Sequence, residues 1–401
     1  MPLYSFNYAI PYILFFLFIF LLSFKVRCNS NKQEYYFQYY AVAMGFLVFI
    51  GLRGFIETDW YGYYDFYEKM PSLFDNSEKI KNFFIQGKWA TRERGFMVWT
   101  LLLKTISPNY AFYQFMNFFL DFIIIWKLAE RYSKDRIILC FVFVLLFESL
   151  IIFTNLLRNS KSILLFALSL QYIYKRDWKR YYFLNIIGLL MHSTAIFYFP
   201  LYFVLNKKFS KRFLFCVFII GLCIFTLQIQ WVRSVLKFCM PFMPIQLRSI
   251  TGFYLEMEHT VFGFSIGYVE RIMSFFLILI YSDRLIEKNK ENIVLLNVFY
   301  IFIFIYFYFS EISIIIDRVP NLFVFSYWFL YPQLYDCLRT KEKKILYLLC
   351  VLIYGVLRMS RENKFVNKYD NMLDINHLTY SERSFLLQRQ GELDTGAKKV
   401  E

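Results

Sequence analysis

Charge is missing from long stretches of this 401-residue chain. Tyr8 to Phe24 runs for seventeen residues, and Tyr35 to Leu52 for eighteen, without a charged side chain. A water-soluble domain seldom tolerates such runs. In hydrocarbon, each backbone polar group must be satisfied inside its own segment, so these runs read as spanning helices. Metal-ligating patterns are also lacking. The seven Cys form no CxxC pair, and Cys140, Cys216, Cys223 and Cys350 sit in apolar runs where thiols behave as small hydrophobes. That excludes a disulfide framework and gives no metal site. The first apolar run has no basic segment before it and no small-residue cleavage site after it, so it reads as a retained helix. No repeat of fixed period is found.

What is abundant is apolar and aromatic. Hydrophobic residues make up 58% of the chain, with 51 Phe and 33 Tyr, which sets the expectation of an all-α, polytopic transmembrane helical bundle. The net charge of +15 would suggest nucleic acid on a soluble protein. Here the excess lies in six short loops (25–34, 127–136, 175–180, 206–212, 283–292 and 339–344), which hold 22 Lys and Arg against 8 Asp and Glu. That asymmetry marks cytoplasmic loops, so topology rather than nucleic acid accounts for the basic excess.

From this rule the chain is expected to start outside and cross about ten times. Residues 1–357 then form one transmembrane domain, followed by a polar tail, 358–401, on the outer side. Outer loops fall near 53–94 and 231–269, the latter carrying Glu256, Glu258 and His259. The stretch 95–107 is too short to cross and carries Lys104, so it is predicted as a re-entrant or interfacial helix before a crossing at 109–127. Residues 137–157 are predicted as one crossing containing Glu148. The apolar stretch 181–205 has basic loops on both sides, which implies a hairpin with its apex at Met191-His192-Ser193.

The segment Arg53–Phe96 holds seven acidic and seven basic residues among dense aromatics. Its candidates are Arg53, Glu57, Asp59, Asp65, Glu93 and Arg94. Beyond it stand Arg158 and Lys161, three apart and so on one helical face, then His192, Arg271 and Arg318. Charges at membrane depth usually face a polar cavity or a partner. Arg offers a planar fork to phosphate oxygens, carboxylates can take a proton from a hydroxyl, and aromatic faces suit sugar rings. Such a set fits a phosphorylated lipid with a sugar headgroup. Plainer readings exist for each residue. Arg53 and Arg94 can snorkel to the interface, the Tyr and Trp of 60–67 can form an interfacial belt, Asp121 and Glu148 can bond neighbouring helices, and His192 can be a packing residue.

The order of short patterns resembles the EpsG family of polysaccharide polymerases, a branch of the Wzy-type group. The matching residues are Arg53, Asp59 and Tyr63–Phe66 after the second helix, then Glu93-Arg94-Gly95-Phe96, Arg158-Asn159, His192-Ser193-Thr194-Ala195 and Arg318. Asn159 stands where a Gln is usual, and Lys161 is an additional cation. The resemblance implies a fold similar to GT-C membrane glycosyltransferases in the cytoplasmic (inner) membrane. It further implies growth of glycan on undecaprenyl diphosphate at the outer face, without cofactor or metal. A chain-length regulator and other polysaccharide-assembly proteins are the expected partners.

On that basis Arg158, Lys161 and Arg53 would hold the diphosphate, and Asp59 or Glu93 would serve as base. Glu57, Asp65, Arg94 and Arg271 would contact substrate, His192 would orient a polar group, and Arg318 would support the second lipid headgroup. The rival expectations are a flippase for lipid-linked oligosaccharide and another membrane glycan-modifying transferase. A flippase should show paired broken helices in two repeated halves, and no such correspondence appears in the sequence.

Overall fold

In the computed structural model, residues 2–25, 32–86, 92–244, 248–249, 251–252 and 265–389 are described. Glu256, Glu258 and His259 lie outside them. The described residues form helices joined by turns and loops, with no extended strand; only two isolated bridges occur, Tyr4 with Lys364 and Arg53 with Asn371. The chain divides into two compact units, residues 1–201 with 331–401, and residues 202–330.

The first unit opens with α1 (Phe6–Lys25) and α2 (Lys32–Phe46), the latter ending in a π-helical turn, Leu47–Gly51. Helices α3 (Trp60–Lys69) and α4 (Ser77–Ile85) lie in the charged segment. Next come α5 (Arg94–Ile106) and α6 (Tyr110–Tyr132), the latter started by Asn109, whose side chain accepts the Ala111 N–H at 2.7 Å. The expected short helix and crossing at 95–107 and 109–127 therefore appear as α5 and α6.

The predicted crossing at 137–157 is broken. Helix α7 (Ile137–Leu146) ends before Glu148, which takes a left-handed φ of 57°, and α8 (Ser149–Thr154) restarts beyond it. The cause is a charge in an apolar run. Glu148 pairs with Arg358 at 3.2 Å, and Arg358 also holds Glu362 at 3.1 Å, so the backbone turns to deliver the carboxylate to its partner.

Helices α9 (Leu157–Tyr174) and α10 (Trp178–Met191) pack closely: Gly188 approaches Ser162, and Asn185 donates to the Ser169 hydroxyl at 3.0 Å. A 3-10 helix, Ser193–Phe203, then doubles back along α10, with the Tyr181 hydroxyl donating to the Tyr198 carbonyl. This is the predicted hairpin, with its break at His192.

Residues 363–389 pack into the same unit. Gly54 N–H donates to Asp370 O at 2.8 Å, Met372 N–H to Leu52 O at 2.9 Å and Glu57 N–H to Val366 O at 2.9 Å. A last helix, Tyr380–Arg389, stacks Tyr380 on Tyr64 at 3.9 Å and buries Arg383, whose guanidinium donates to the carbonyls of Phe365 and Val366.

In the second unit the Lys211–Thr226 helix bends by 83° into Trp231–Phe242. Glu311 accepts the N–H groups of Val232 and Arg233, meeting the unpaired donors at the start of the second segment. Helices Ile266–Lys288 and Asn292–Tyr308 follow.

Among the described residues two helices, Phe6–Phe24 and Tyr110–Tyr132, are long and apolar enough to cross a membrane, or three if the bent pair is one span. Tyr36–Gly51 and Asn292–Tyr308 are apolar but shorter. Among the described residues, length and composition thus do not confirm the count of about ten crossings. The run 137–157, which reads as continuous, is divided at Glu148, and other apolar runs carry charged ends.

Candidate functional site

Four helix ends bring the site together. Glu93 stands at the start of α5 in extended conformation and makes no side-chain cap of its own helix. Its carboxylate turns outward: Oε2 pairs with Arg158 Nη1 at 2.5 Å, and Oε1 accepts the Ser193 N–H at 3.2 Å. Arg158 comes from the first turn of α9 and lies beside the phenol of Tyr63, from the first turn of α3. Beside Arg158, Asn159 accepts the Thr194 hydroxyl at 2.7 Å, and that hydroxyl lies 2.8 Å from His192 Nδ1 at the end of α10. The side chains of Arg158 and Glu93 keep 27% and 16% of their surface, so a ligand can reach both. Burial acts to raise the Glu93 carboxyl; its backbone hydrogen bond, Arg158 and the Ser193 N–H outweigh it and hold the group below the usual carboxylate range. The carboxylate is therefore ionised at neutral pH.

The Glu-x-Gly-aromatic pattern has a steric cause. A Cβ on Gly95 would lie 2.7 Å from both the carbonyl oxygen and the Cβ of Leu190, so only glycine lets α5 abut α10 there. Phe96 fills the core beneath Tyr63 and Phe66. Gly95→Ala is expected to push α5 off α10, cost about 1–3 kcal/mol and part Glu93 from Ser193. Thermal unfolding in detergent together with glycan chain length would register both effects.

One helical turn inward, Lys161 is almost fully buried. Its ammonium bonds Asp121 at 2.7 Å and the Asn117 carbonyl at 2.9 Å, and Ser160 donates to the same Asp121 oxygen at 2.8 Å. Trp99 Nε1 donates to Asn117 Oδ1, tying α5 to the same network. Lys161 thus sits behind Arg158, buried, with its ammonium already held by Asp121 and the Asn117 carbonyl.

Arg53 is buried and donates to the carbonyls of Ile50 and Phe153, both at 2.7 Å. It borders a small cavity with Glu57, Glu362, Asn367 and Tyr12. Glu57 takes a left-handed φ of 66°, and burial, then the Glu362 charge, push its carboxyl up to about 7. The folded state consequently binds that proton more tightly than the unfolded state. Stability attributable to Glu57 falls as pH rises from about 4.5 to about 7. Glu57→Gln is expected to flatten this dependence, read as a smaller loss of melting temperature between pH 5 and pH 8.

The remaining candidates are dispersed. Asp59 is exposed just before α3, Asp65 pairs with Lys69 at 2.5 Å, and exposed Arg94 donates to the Phe84 carbonyl. Arg271 and Arg318 belong to the second unit. There Arg271 lies 3.5 Å from the centre of the Tyr306 ring, and Arg318 is exposed at the end of a short helix, Ser313–Arg318. One ion-pair partner escaped the sequence reading: Arg358, at the start of the polar tail, pairs with Glu148 and Glu362. Among the described residues no group of His, Cys, Asp and Glu is arranged to hold a metal ion.

The fold and site define an all-helical membrane protein with a half-buried carboxylate–guanidinium cluster at converging helix ends. The chain belongs to the EpsG family, whose model matches residues 36–373; these are Wzy-type polysaccharide polymerase-like proteins. Searches of curated proteins and of solved structures gave no match.

Proposed function

We propose that the protein is a membrane polysaccharide polymerase that joins lipid-linked repeat units at the outer face of the cytoplasmic membrane. The growing glycan passes from undecaprenyl diphosphate onto the non-reducing end of a fresh lipid-linked unit. The observation that carries the reading is the meeting of Glu93, Arg158, Asn159 and His192, from three separate family-like patterns, in one half-buried cluster.

In the reaction, the bond between the anomeric carbon and the diphosphate oxygen breaks, and the lipid diphosphate leaves with the electron pair. The acceptor hydroxyl oxygen bonds to that carbon. Its proton passes to a carboxylate, for which Glu93 is placed beside the cation that meets the leaving group. Asp59 is the alternative base. Arg158 neutralises charge on the diphosphate, with Lys161 bracing its helix from behind. His192, through Thr194 and Asn159, fixes the hairpin turn that presents the Ser193 N–H to Glu93. Arg53, Glu57, Asp65 and Arg94 are assigned to substrate contact or its support. Expected protein partners are a chain-length regulator and other assembly proteins.

A gel of surface glycan from a deletion strain tests the reading. Loss of polymer with one capped unit retained is the expected result. Loss of all surface glycan would identify a flippase instead, and full-length but altered glycan would identify a modifying transferase.

A further inference from the structure

Arg92 immediately precedes the catalytic candidate Glu93 and was not distinguished by the family-like patterns. Its guanidinium lies over two rings, 4.6 Å from the centre of Phe66 and 5.3 Å from that of Tyr63. Tyr63 is also the residue whose phenol lies beside Arg158. The two guanidinia therefore flank one phenol, one at its ring and one at its hydroxyl. Both Phe66 and Tyr63 are buried, so the platform under Arg92 is rigid. A guanidinium held by its face keeps its N–H groups at its edge, where they can meet oxygens in the plane. Burial, and then the charge of Arg158, push the Arg92 guanidinium below its ordinary value. Two like charges are thus kept close enough to oppose each other at a site that ligand can enter.

We infer that Arg92 and Arg158 form a paired guanidinium clamp for an organic diphosphate, and that Arg92 sets the preference for a diphosphate over a monophosphate carrier. The inference rests on the polymerase reading for the lipid's identity. One guanidinium suffices for one phosphate. A second, displaced across the width of a Tyr side chain, gives the second phosphate its own fork. Arg158 faces the phosphate next to the sugar because Glu93, the base candidate, is bonded to it. Arg92 then faces the phosphate next to the lipid chain.

The test uses purified full-length protein in detergent with farnesyl diphosphate and farnesyl monophosphate as probes. The wild type is expected to bind the diphosphate about tenfold or more tightly than the monophosphate. In Arg92→Gln that ratio should fall close to one, with monophosphate affinity little changed. An unaltered ratio at unchanged melting temperature, or a wild type with no preference, overturns the clamp. If Arg92→Gln melts early, Arg92→Lys decides: it keeps charge and stem but lacks the fork, so the ratio should fall about threefold, and an intact ratio overturns the inference. Glycan ladders from the same strains separate the two readings. Normal polymer with an intact ratio in the variants removes the clamp alone. A lost ratio with a wild type that makes no polymer removes the polymerase reading alone.

Discussion

Cells carrying Arg158→Ala are expected to lose long glycan chains while retaining single-unit glycan at the surface, with the protein present at its normal level. The reason is local. Arg158 is the cation bonded to Glu93, it lies beside the Tyr63 phenol, and its side chain remains reachable. Removing a preorganised donor from a developing negative charge commonly lowers turnover by about a hundred- to a thousandfold. Polymerisation compounds that loss at every added unit. Glu93→Gln is expected to act the same way for a different reason: the amide keeps the size and can accept the Ser193 N–H, yet it cannot take a proton. Arg158→Lys should restore little, because a single ammonium cannot meet carboxylate, phenol and phosphate together. A normal ladder of chain lengths from Arg158→Ala at normal expression would remove this residue from the site.

The second large effect concerns the ion pair behind the site. Lys161→Met leaves Asp121 buried beside Ser160 without its cation, and such losses cost about 3–5 kcal/mol. The variant is expected to yield little folded protein in detergent, or a strongly lowered melting temperature. Lys161→Met combined with Asp121→Leu removes both charges and should recover most of the lost stability. The comparison also separates two roles for Lys161. If the double variant is folded and still makes long glycan, Lys161 braces Arg158. If it is folded but makes no polymer, Lys161 acts on the substrate itself.

Which parts of this were legible in the sequence follows from how local each signal is. The hairpin at His192 was readable because two basic loops on one side demand an even number of passes. The boundary between α5 and α6 was readable from Lys104 and the length of the run. The break at Glu148 was not, because its cause lies 210 residues away in Arg358, and nothing near Glu148 announces that partner. The inward packing of residues 363–389 was hidden for a similar reason. Their composition is polar, but Phe365 and Leu387 are buried, and Arg383 satisfies backbone carbonyls rather than facing water.

For the site, residue identity was readable and arrangement was not. Glu93, Arg158, Asn159 and His192 stood out as short patterns, and the structure brings them together. Sequence spacing put Arg158 and Lys161 on one helical face, which is correct. It could not show that Lys161 is bonded to Asp121 on α6 while Arg158 reaches Glu93 on α5. Arg92 was passed over because its partners are rings, and cation–ring contacts leave no mark on a charge pattern.

The most direct measurement of the central claim is reconstitution of the purified full-length protein with a defined undecaprenyl-diphosphate-linked repeat unit, followed by gel separation of the products. The account predicts a ladder of lengthened lipid-linked glycan from the wild type, with release of undecaprenyl diphosphate, and only the starting unit from Glu93→Gln and Arg158→Ala. Units that cross the bilayer without being joined, or a full ladder from both variants, would contradict it.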